Sequence, residues 1–302
     1  MPISHLVPKK IIELQKYRDL FDIPAKIVLK VKLISRKQID DSSISRIPKS
    51  DSENLDYSKY VSKIAKNPKK MRRFRRPYTY RQILEHVNWQ TGQKYIDRFL
   101  ELGGTKQEIL GLPLKDKIGG PRKYYYPNYG WLNPTFIRYL AVKQEIKSLF
   151  NLEEISKIGE IGCGFGGQFL ALANEKSLTA YYFYDLPPVQ KIINSYISNY
   201  PFNQNVNFPD INEIEAQKFD LVISNYAFSE LPKRIQIDYI EKLLLNSNRG
   251  YLIMNSGRSN HTSRNAGKLS LEELQGYMPM IKIMEENPLT GPDNYVIYWN
   301  RK

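Results

Sequence analysis

The chain has 302 residues, a formal net charge of +14 and a single cysteine. This length suffices to bury a substantial core, as one large domain or two. One cysteine excludes an internal disulfide and a cysteine-based metal cluster. Because no stretch is apolar enough to span a membrane and the N-terminus has no apolar signal segment, we expect a cytoplasmic protein.

The first half of the chain is predicted to be mainly helical. Residues 1–58 are expected to form an N-terminal segment with a flexible connection, and residues 59–134 a helical accessory region rich in aromatic residues. From Tyr80 to Leu100, apolar residues recur at spacings of three and four, which predicts helix. Gly103 and Gly104 stop that pattern.

A cluster of cations interrupts this half. Seven Lys and Arg residues fall between positions 66 and 76 around Pro68. Such a run is either a solvated face or a binding surface for a polyanion, such as nucleic acid, an anionic membrane surface or a phosphate-bearing substrate. Only Phe74 is interleaved with the cations, which is too little for base stacking, so we expect no stable nucleic-acid complex.

An aromatic stretch follows before the second half begins. Residues 123–131 hold four tyrosines and a tryptophan around Pro127 and Gly130, which predicts a loop that folds over a pocket. We therefore take Arg122, Tyr124 and Trp131 as candidate substrate contacts, with Arg122 suited to a phosphate or carboxylate.

The second half, residues 135–302, alternates strand and helix signals, as a doubly wound parallel sheet requires. Strands are expected to end at Ile161 and Tyr184, and a third covers 219–224. Two last strand-like runs, 280–284 and 295–299, are joined by a loop rich in Pro, Gly and Asn, which predicts a terminal hairpin.

The most informative residues lie at the turn after the first of these strands. Gly162, Gly164 and Gly166 permit positive φ and leave the backbone open to a ligand. Asp185 ends the second strand, where a carboxylate suits the two hydroxyls of a ribose. Together these residues predict a site for a nucleoside-like cofactor.

Two cofactor templates fit the glycines, and Glu160 separates them. G-x-G-x-x-G is the dinucleotide pattern, whereas acid-x-Gly-x-Gly-x-Gly is the loop of class I S-adenosylmethionine (SAM) methyltransferases. A carboxylate in a buried strand is costly to desolvate without a cationic partner. NAD brings a pyrophosphate to this turn, whereas SAM brings a sulfonium and an amino group. Glu160 therefore favours SAM over NAD.

The motifs Glu160 to Gly167, Tyr184-Asp-Leu-Pro-Pro188 and Ser224-Asn-Tyr-Ala-Phe-Ser-Glu-Leu231 resemble those of the sugar O-methyltransferases of bacterial polysaccharide clusters, within the class I SAM-dependent methyltransferases. The resemblance implies a Rossmann-like, mostly parallel seven-stranded sheet with an N-terminal helical accessory region. It implies methyl transfer from SAM to a hydroxyl of a nucleotide- or lipid-linked sugar. Independently of the resemblance, the cations of residues 66–76 suit contact with an anionic membrane surface, which would place the protein peripherally at the inner membrane face.

This resemblance assigns roles by position. Glu160 is expected at the amino-acid end of SAM, with the three loop glycines beneath the cofactor, and Asp185 at the ribose. Leu186, next to Asp185 in the same motif, is expected at the adenine face. Fold position adds two further cofactor contacts, which are Asp210 at the adenine amino group and Asn225 near the methyl group. For the base that takes the acceptor's proton, the candidates beyond the fourth and fifth strands are Tyr226, Glu230 and His261.

Two other functions stay open. A nucleic-acid methyltransferase would explain the charge, although residues 224–227 lack the prolines of an Asn/Asp-Pro-Pro-Tyr/Phe run. A non-catalytic binding module is the second alternative, but such a module has no need of the intact acid and glycine loop. We expect no essential metal.

Overall fold

A computed structural model of the chain describes residue 15 and residues 55–112, 116–211, 214–258 and 267–301. Most of the expected N-terminal segment 1–58 lies outside the described residues, and so does His261.

The second half of the chain forms one seven-stranded sheet. In chain order its strands are β3 (Lys157–Ile161), β4 (Ala180–Tyr184), β5 (Asn205–Asn207), β6 (Phe219–Asn225), β7 (Ser247–Met254), β8 (Lys282–Glu285) and β9 (Tyr295–Asn300). Their order across the sheet is β5-β4-β3-β6-β7-β9-β8, and only β9 runs antiparallel to its neighbours. The predicted fold class, a doubly wound and mostly parallel Rossmann-like sheet ending in a hairpin, is confirmed.

Helices connect the strands and cover both faces. They are α1 (Leu55–Ala65), α2 (Tyr78–Ile83), α3 (Trp89–Glu101), α4 (Lys106–Leu110), α5 (Pro134–Leu149), α6 (Gly167–Leu172), α7 (Pro187–Ile197), α8 (Ala227–Glu230), α9 (Lys233–Tyr239) with a π-helical continuation Ile240–Leu244, and α10 (Leu271–Tyr277). Local signals set their starts. Asn133 caps α5 through its side chain, and Ser270 with Glu273 forms the capping box of α10.

The two faces of the sheet bury different residues. Because cross-strand partners share a face, Ile158, Glu160 and their β4 partners Tyr181 and Phe183 face the helices α5 and α6. Ile161 lies on the other face, in the core under α9 and α10. Glu160 is therefore a carboxylate on an otherwise apolar inner face.

The accessory region packs onto the first of these faces. α1 lies against α7 and α3 against α5, and one continuous cluster of buried residues extends from Tyr57 to Val296. The helical pattern expected from Tyr80 onward is divided in two, because Asn88 caps a new helix through the backbone N–H of Thr91. None of the helices among the described residues has the length and apolar character needed to cross a membrane.

The aromatic stretch is a β-hairpin rather than the loop predicted from its sequence. β1 (Tyr124–Tyr126) pairs antiparallel with β2 (Gly130–Leu132). Asn128 and Gly130 adopt positive φ angles of 70° and 84° in the turn between them. Three consecutive tyrosines have high strand propensity, and this turn supplies the reversal.

Candidate functional site

The glycine turn joins β3 to α6 at the carboxyl edge of the sheet. Gly162, Gly164 and Gly166 have φ angles of +73°, +59° and +84°, a region that other residues rarely adopt. A Cβ on Gly162 would lie 1.9 Å from the Cβ of Ala227, so the turn and α8 approach as closely as backbone allows. The nearest atoms to Gly164 belong to Leu84 of the accessory region, which therefore covers the turn.

Asp185 holds this turn in place. One carboxylate oxygen accepts hydrogen bonds from the backbone N–H groups of Cys163, at 2.7 Å, and Gly164, at 3.3 Å. The other oxygen accepts from the N–H of Leu186 at 2.8 Å. Burial nevertheless raises the pKa of Asp185 to about 6, because these three hydrogen bonds offset the desolvation only in part.

Glu160 lies deeper than Asp185. Its side chain is buried and accepts a hydrogen bond of 2.8 Å from the hydroxyl of Tyr181. Burial raises the pKa of Glu160 to about 8, and the nearby charge of Asp185 acts in the same direction. The thiol of Cys163 donates to the Glu160 carbonyl at 3.1 Å and is buried, so it belongs to the packing of the turn.

The two carboxyls therefore form a site whose negative charge is only partly developed without a ligand, because the pKa of Glu160 lies above neutral pH. Within the part of the chain that the structure describes, no cationic side chain is among the groups that set the pKa of Glu160 or Asp185. Such a pair attracts a cation and repels an anion. These residues fit a cofactor that brings an amino group, a sulfonium and ribose hydroxyls, and they oppose one that brings a pyrophosphate.

Asn225 and Tyr226 extend the site beyond β6. The Nδ2 of Asn225 lies 3.3 Å from the Oε1 of Gln168 on α6, and the Asn225 Oδ1 is buried with no hydrogen-bond partner among the described residues. An unsatisfied buried acceptor beside the glycine turn is suited to a ligand N–H. The next residue, Tyr226, has a φ angle of 72°, and a non-glycine residue in this conformation is a strained feature found most often at functional sites.

The Tyr226 side chain lies in a buried polar cluster. Its hydroxyl donates to Glu286, which also accepts from the backbone N–H of Thr290 at 2.7 Å and from the Asn294 amide at 2.9 Å. The guanidinium of Arg138 lies 5.6 Å from the centre of the Tyr226 ring. Burial and the nearby Tyr95 and Glu286 raise the pKa of Tyr226 well above its ordinary value, so its hydroxyl is neutral and acts as a donor.

Sequence reasoning missed Arg138 and Glu286. A hint of Arg138 is present in the sequence, because a lone cation between Ile137 and Tyr139 in a helical run has no acid within four residues to pair with. In the structure the side chains of all three residues are buried. The sequence holds no such hint of Glu286, because only the fold brings the loop beyond β8 to the end of β6.

The structure gives Glu230 a positioning role. Its carboxylate accepts a 2.7 Å hydrogen bond from the side chain of Asn255, and the hydroxyl of Ser229 donates to the other end of that amide at 2.8 Å. The Ser-Glu pair of α8 thus joins the ends of β6 and β7. Glu230 does not cap the following helix, which begins at Pro232 with no side-chain cap.

The remaining predicted cofactor contacts lie at the same edge of the sheet. Leu186 is the N-cap residue of α7 and is half-buried beside Asp185. Asp210 lies three residues beyond β5 and is exposed. Their expected contacts with adenine stay predictions.

The three predicted substrate contacts do not converge. Tyr124 is buried and pairs with Leu132, whereas Trp131 pairs with Tyr125 on the opposite face of the hairpin and is 50% exposed. The guanidinium of Arg122 lies 5.2 Å from the centre of the Tyr124 ring. Because adjacent strand residues point to opposite faces, Tyr124 and Trp131 cannot line one pocket.

Comparison with known proteins shows no family. No family model and no curated protein matches the chain. Similar solved structures include the methyltransferase domain of a bacterial CtHen1 (11% identity, TM-score 0.41, covering 54% of this chain and 97% of that one). A SAM-dependent methyltransferase from Aquifex aeolicus has 13% identity and a TM-score of 0.40, over 52% of this chain and 87% of that one. The mitomycin 7-O-methyltransferase MmcR has 9% identity and a TM-score of 0.39, over 71% and 67%. Similarity this low says nothing about the substrate.

Proposed function

We propose that the protein is a SAM-dependent methyltransferase that methylates a hydroxyl group of a sugar or glycan precursor. The observation that carries the proposal is the pair of carboxyls of buried Glu160 and half-buried Asp185, at a strand-glycine-helix turn where no cationic side chain of the described residues lowers their raised pKa values. A cationic nucleoside cofactor completes such a site, and a dinucleotide does not.

Each residue at the turn has a part in holding the cofactor. Glu160 would hold the cationic amino-acid end, and Asp185, whose carboxylate accepts from backbone N–H groups of the turn, would accept from the ribose hydroxyls. The unsatisfied oxygen of Asn225 would accept an N–H from the same ligand. When bound, SAM supplies a methyl group activated by its positive sulfur.

Removal of the acceptor proton falls to Tyr226 and Glu286. A sugar hydroxyl has a high pKa, so its proton must leave as the oxygen attacks the methyl carbon. Because Tyr226 is neutral, it accepts that proton only while passing its own to Glu286, with which it is already hydrogen-bonded. Thr290 and Asn294 hold Glu286 in place for this transfer.

The proposal of a sugar substrate rests on two sequence motifs. Tyr184-Asp-Leu-Pro-Pro188 and Ser224 to Leu231 resemble those of sugar O-methyltransferases, and both lie at the carboxyl edge of the sheet. The cluster of Arg138, Tyr226 and Glu286 beside them is polar, which suits a hydroxylated acceptor. We propose a nucleotide- or lipid-linked sugar as the acceptor.

Isothermal titration with SAM, S-adenosylhomocysteine and NAD⁺ tests the cofactor. We expect both adenosyl ligands to bind, and Asp185→Ala to abolish that binding. Asp97→Ala is the matched control, because Asp97 is exposed on α3 and bonds only to Gln93 at 2.9 Å. Binding of NAD⁺ alone would overturn the proposal.

Turnover with nucleotide sugars tests the reaction. We expect Tyr226→Phe to bind SAM normally but to lose about 10²-fold or more in kcat, as for a residue that moves a proton. Methylation of RNA or DNA in place of sugars would favour the nucleic-acid alternative. SAM binding without turnover of any acceptor would favour a non-catalytic module.

A further inference from the structure

The run of cations at residues 66–76 lies in a folded helical stretch. Between residues 57 and 84 the chain carries ten Lys and Arg residues and no acid. The structure folds this stretch into α1, a 3₁₀ helix (Pro68–Arg73) and α2. Such a density of one sign of charge on folded helices needs an explanation, because like charges held close together repel.

The periods of the two helical elements set the cations in rows. Lys59 and Lys63 on α1 and Lys66 directly after it are spaced by four and three residues and are all exposed. The 3₁₀ helix has three residues per turn, so residues three apart align. Met71 and Phe74 share the inner row and are buried, whereas Lys69 and Arg72 share an outer row.

One cation of the stretch is used inside the protein. Arg75 is fully buried, pairs with Glu85 and Asp116, and donates to Asn133 at 3.1 Å. The others that are exposed form what we call the basic surface, which consists of Lys59, Lys63, Lys66, Lys69, Arg72, Arg73 and Arg76. None of them pairs with a carboxylate among the residues that the structure describes. Within the described part of the chain, no carboxylate offsets the positive charge of this surface.

The aromatic residues of the same stretch distinguish between polyanions. Tyr57, Phe74 and Tyr80 are buried, and the rings of Tyr57 and Phe74 pack on that of Tyr80. Tyr60 and Tyr78 are half-buried: the Tyr60 ring also packs on Tyr80, and the Tyr78 hydroxyl is buried. Because these rings lie in the core, they are not available between the cations for stacking on bases, which single-stranded nucleic acid requires. A surface of flexible cations without stacking rings fits a layer of phosphate headgroups.

We propose that the basic surface docks the protein on an anionic phospholipid bilayer. Clusters of four to eight Lys and Arg residues are sufficient for this kind of attachment. The choice of a bilayer rests in part on the proposed function, because a lipid-linked glycan acceptor lies on such a membrane. The surface is on the accessory region that covers the glycine turn through Leu84, so docking brings the candidate active site close to the membrane.

Flotation with lipid vesicles tests the proposal on the full chain. We expect the protein to bind vesicles of mixed phosphatidylglycerol and phosphatidylcholine at low salt and to be released from them at high salt. It should not bind vesicles of phosphatidylcholine alone. The variant Lys66→Glu/Lys69→Glu/Arg72→Glu should bind at least about 100-fold more weakly, since each cation near the surface contributes about fivefold.

The control carries the same change in net charge elsewhere. Lys176, Lys218 and Lys282 are exposed on the sheet half of the molecule, and their triple Glu variant should bind like the wild type. Equal losses in both variants, or no vesicle binding by the wild type, would overturn the proposal. Retention by RNA or duplex DNA without vesicle binding would replace the bilayer with nucleic acid. SAM titration on the same samples is independent, so vesicle binding without SAM binding would refute only the methyltransferase.

Discussion

Two clusters of charged side chains among the described residues differ in whether they include a cation. In the accessory region, the buried guanidinium of Arg75 pairs with Glu85 and Asp116, donates to Asn133 and lies 4.1 Å from the centre of the Phe165 ring. At the glycine turn, burial raises the pKa values of Glu160 and Asp185, and no cationic side chain of the described residues lowers them. We call the first the complete cluster and the second the incomplete cluster. Under the proposed function, the cation that the incomplete cluster lacks is supplied by the ligand.

Removing the cation of the complete cluster should have the largest effect. Arg75→Met removes the cation that pairs with the buried carboxylates of Glu85 and Asp116, and we expect the free energy of unfolding to fall by about 3–5 kcal/mol. Urea unfolding followed by circular dichroism measures this loss. The exposed neighbour Arg72→Met is the control and should change stability by less than about 0.5 kcal/mol. A small loss of unfolding free energy for Arg75→Met would mean that Arg75 contributes little to stabilising the buried carboxylates around it.

A substitution in the incomplete cluster should weaken ligand binding rather than prevent folding. Glu160→Gln keeps the size of the side chain and a partner for the Tyr181 hydroxyl but removes the charge. We expect SAM to bind about 100-fold more weakly, equivalent to about 2.7 kcal/mol, because a desolvated charge pair is lost. Titration calorimetry measures the loss. Unchanged SAM affinity in this variant would remove Glu160 from the cofactor site.

Much of this arrangement could be predicted from the sequence. The strands ending at Ile161 and Tyr184 and the turn glycines follow from local patterns, because apolar runs and glycines act over a few residues. The completion of the Arg75 cluster could not be predicted. Its partners lie 10 and 41 residues away along the chain, so a residue counted among surface cations is in fact buried.

The residues proposed to act on the methyl acceptor could likewise be predicted only in part. Tyr226 was predicted from its place after a strand, but its partner Glu286 is 60 residues away and is brought there by the hairpin of β8 and β9. The hairpin of residues 124–132 was predicted as a loop because its turn is set by two positive φ angles that composition only suggests. Contacts that are distant in sequence decide which polar residues form a site.

The pH dependence of SAM binding tests whether Glu160 ionises when a cation binds. Ligand-free Glu160 has a pKa of about 8, so below that pH it is largely protonated and attracts a cation weakly. Binding a cation favours the ionised form, so SAM affinity should rise with pH, by up to about tenfold between pH 6 and 7. In Glu160→Gln the rise should be much smaller. Equal slopes for both proteins would show that Glu160 does not ionise on binding.

The smallest expected effect concerns the stability of the ligand-free protein. The pKa of Glu160 is about 8 in the folded chain against an ordinary value of 4.5, so the unfolded chain loses this proton at lower pH than the folded one. Stability is therefore fully retained below about pH 4.5 and falls as the pH rises toward 8. Glu160→Gln removes this dependence, while Asp185 contributes equally to both proteins.

We accordingly expect Glu160→Gln to be more stable than the wild type at pH 8, by about 1–3 kcal/mol, and the difference to shrink at pH 6. Urea unfolding at the two pH values, without ligand, measures it. A variant that unfolds at the same or lower urea concentration at pH 8 would mean that Glu160 already has its cation within the protein. A stabilising substitution that abolishes SAM binding would show that this carboxylate is destabilising until the cationic ligand is present.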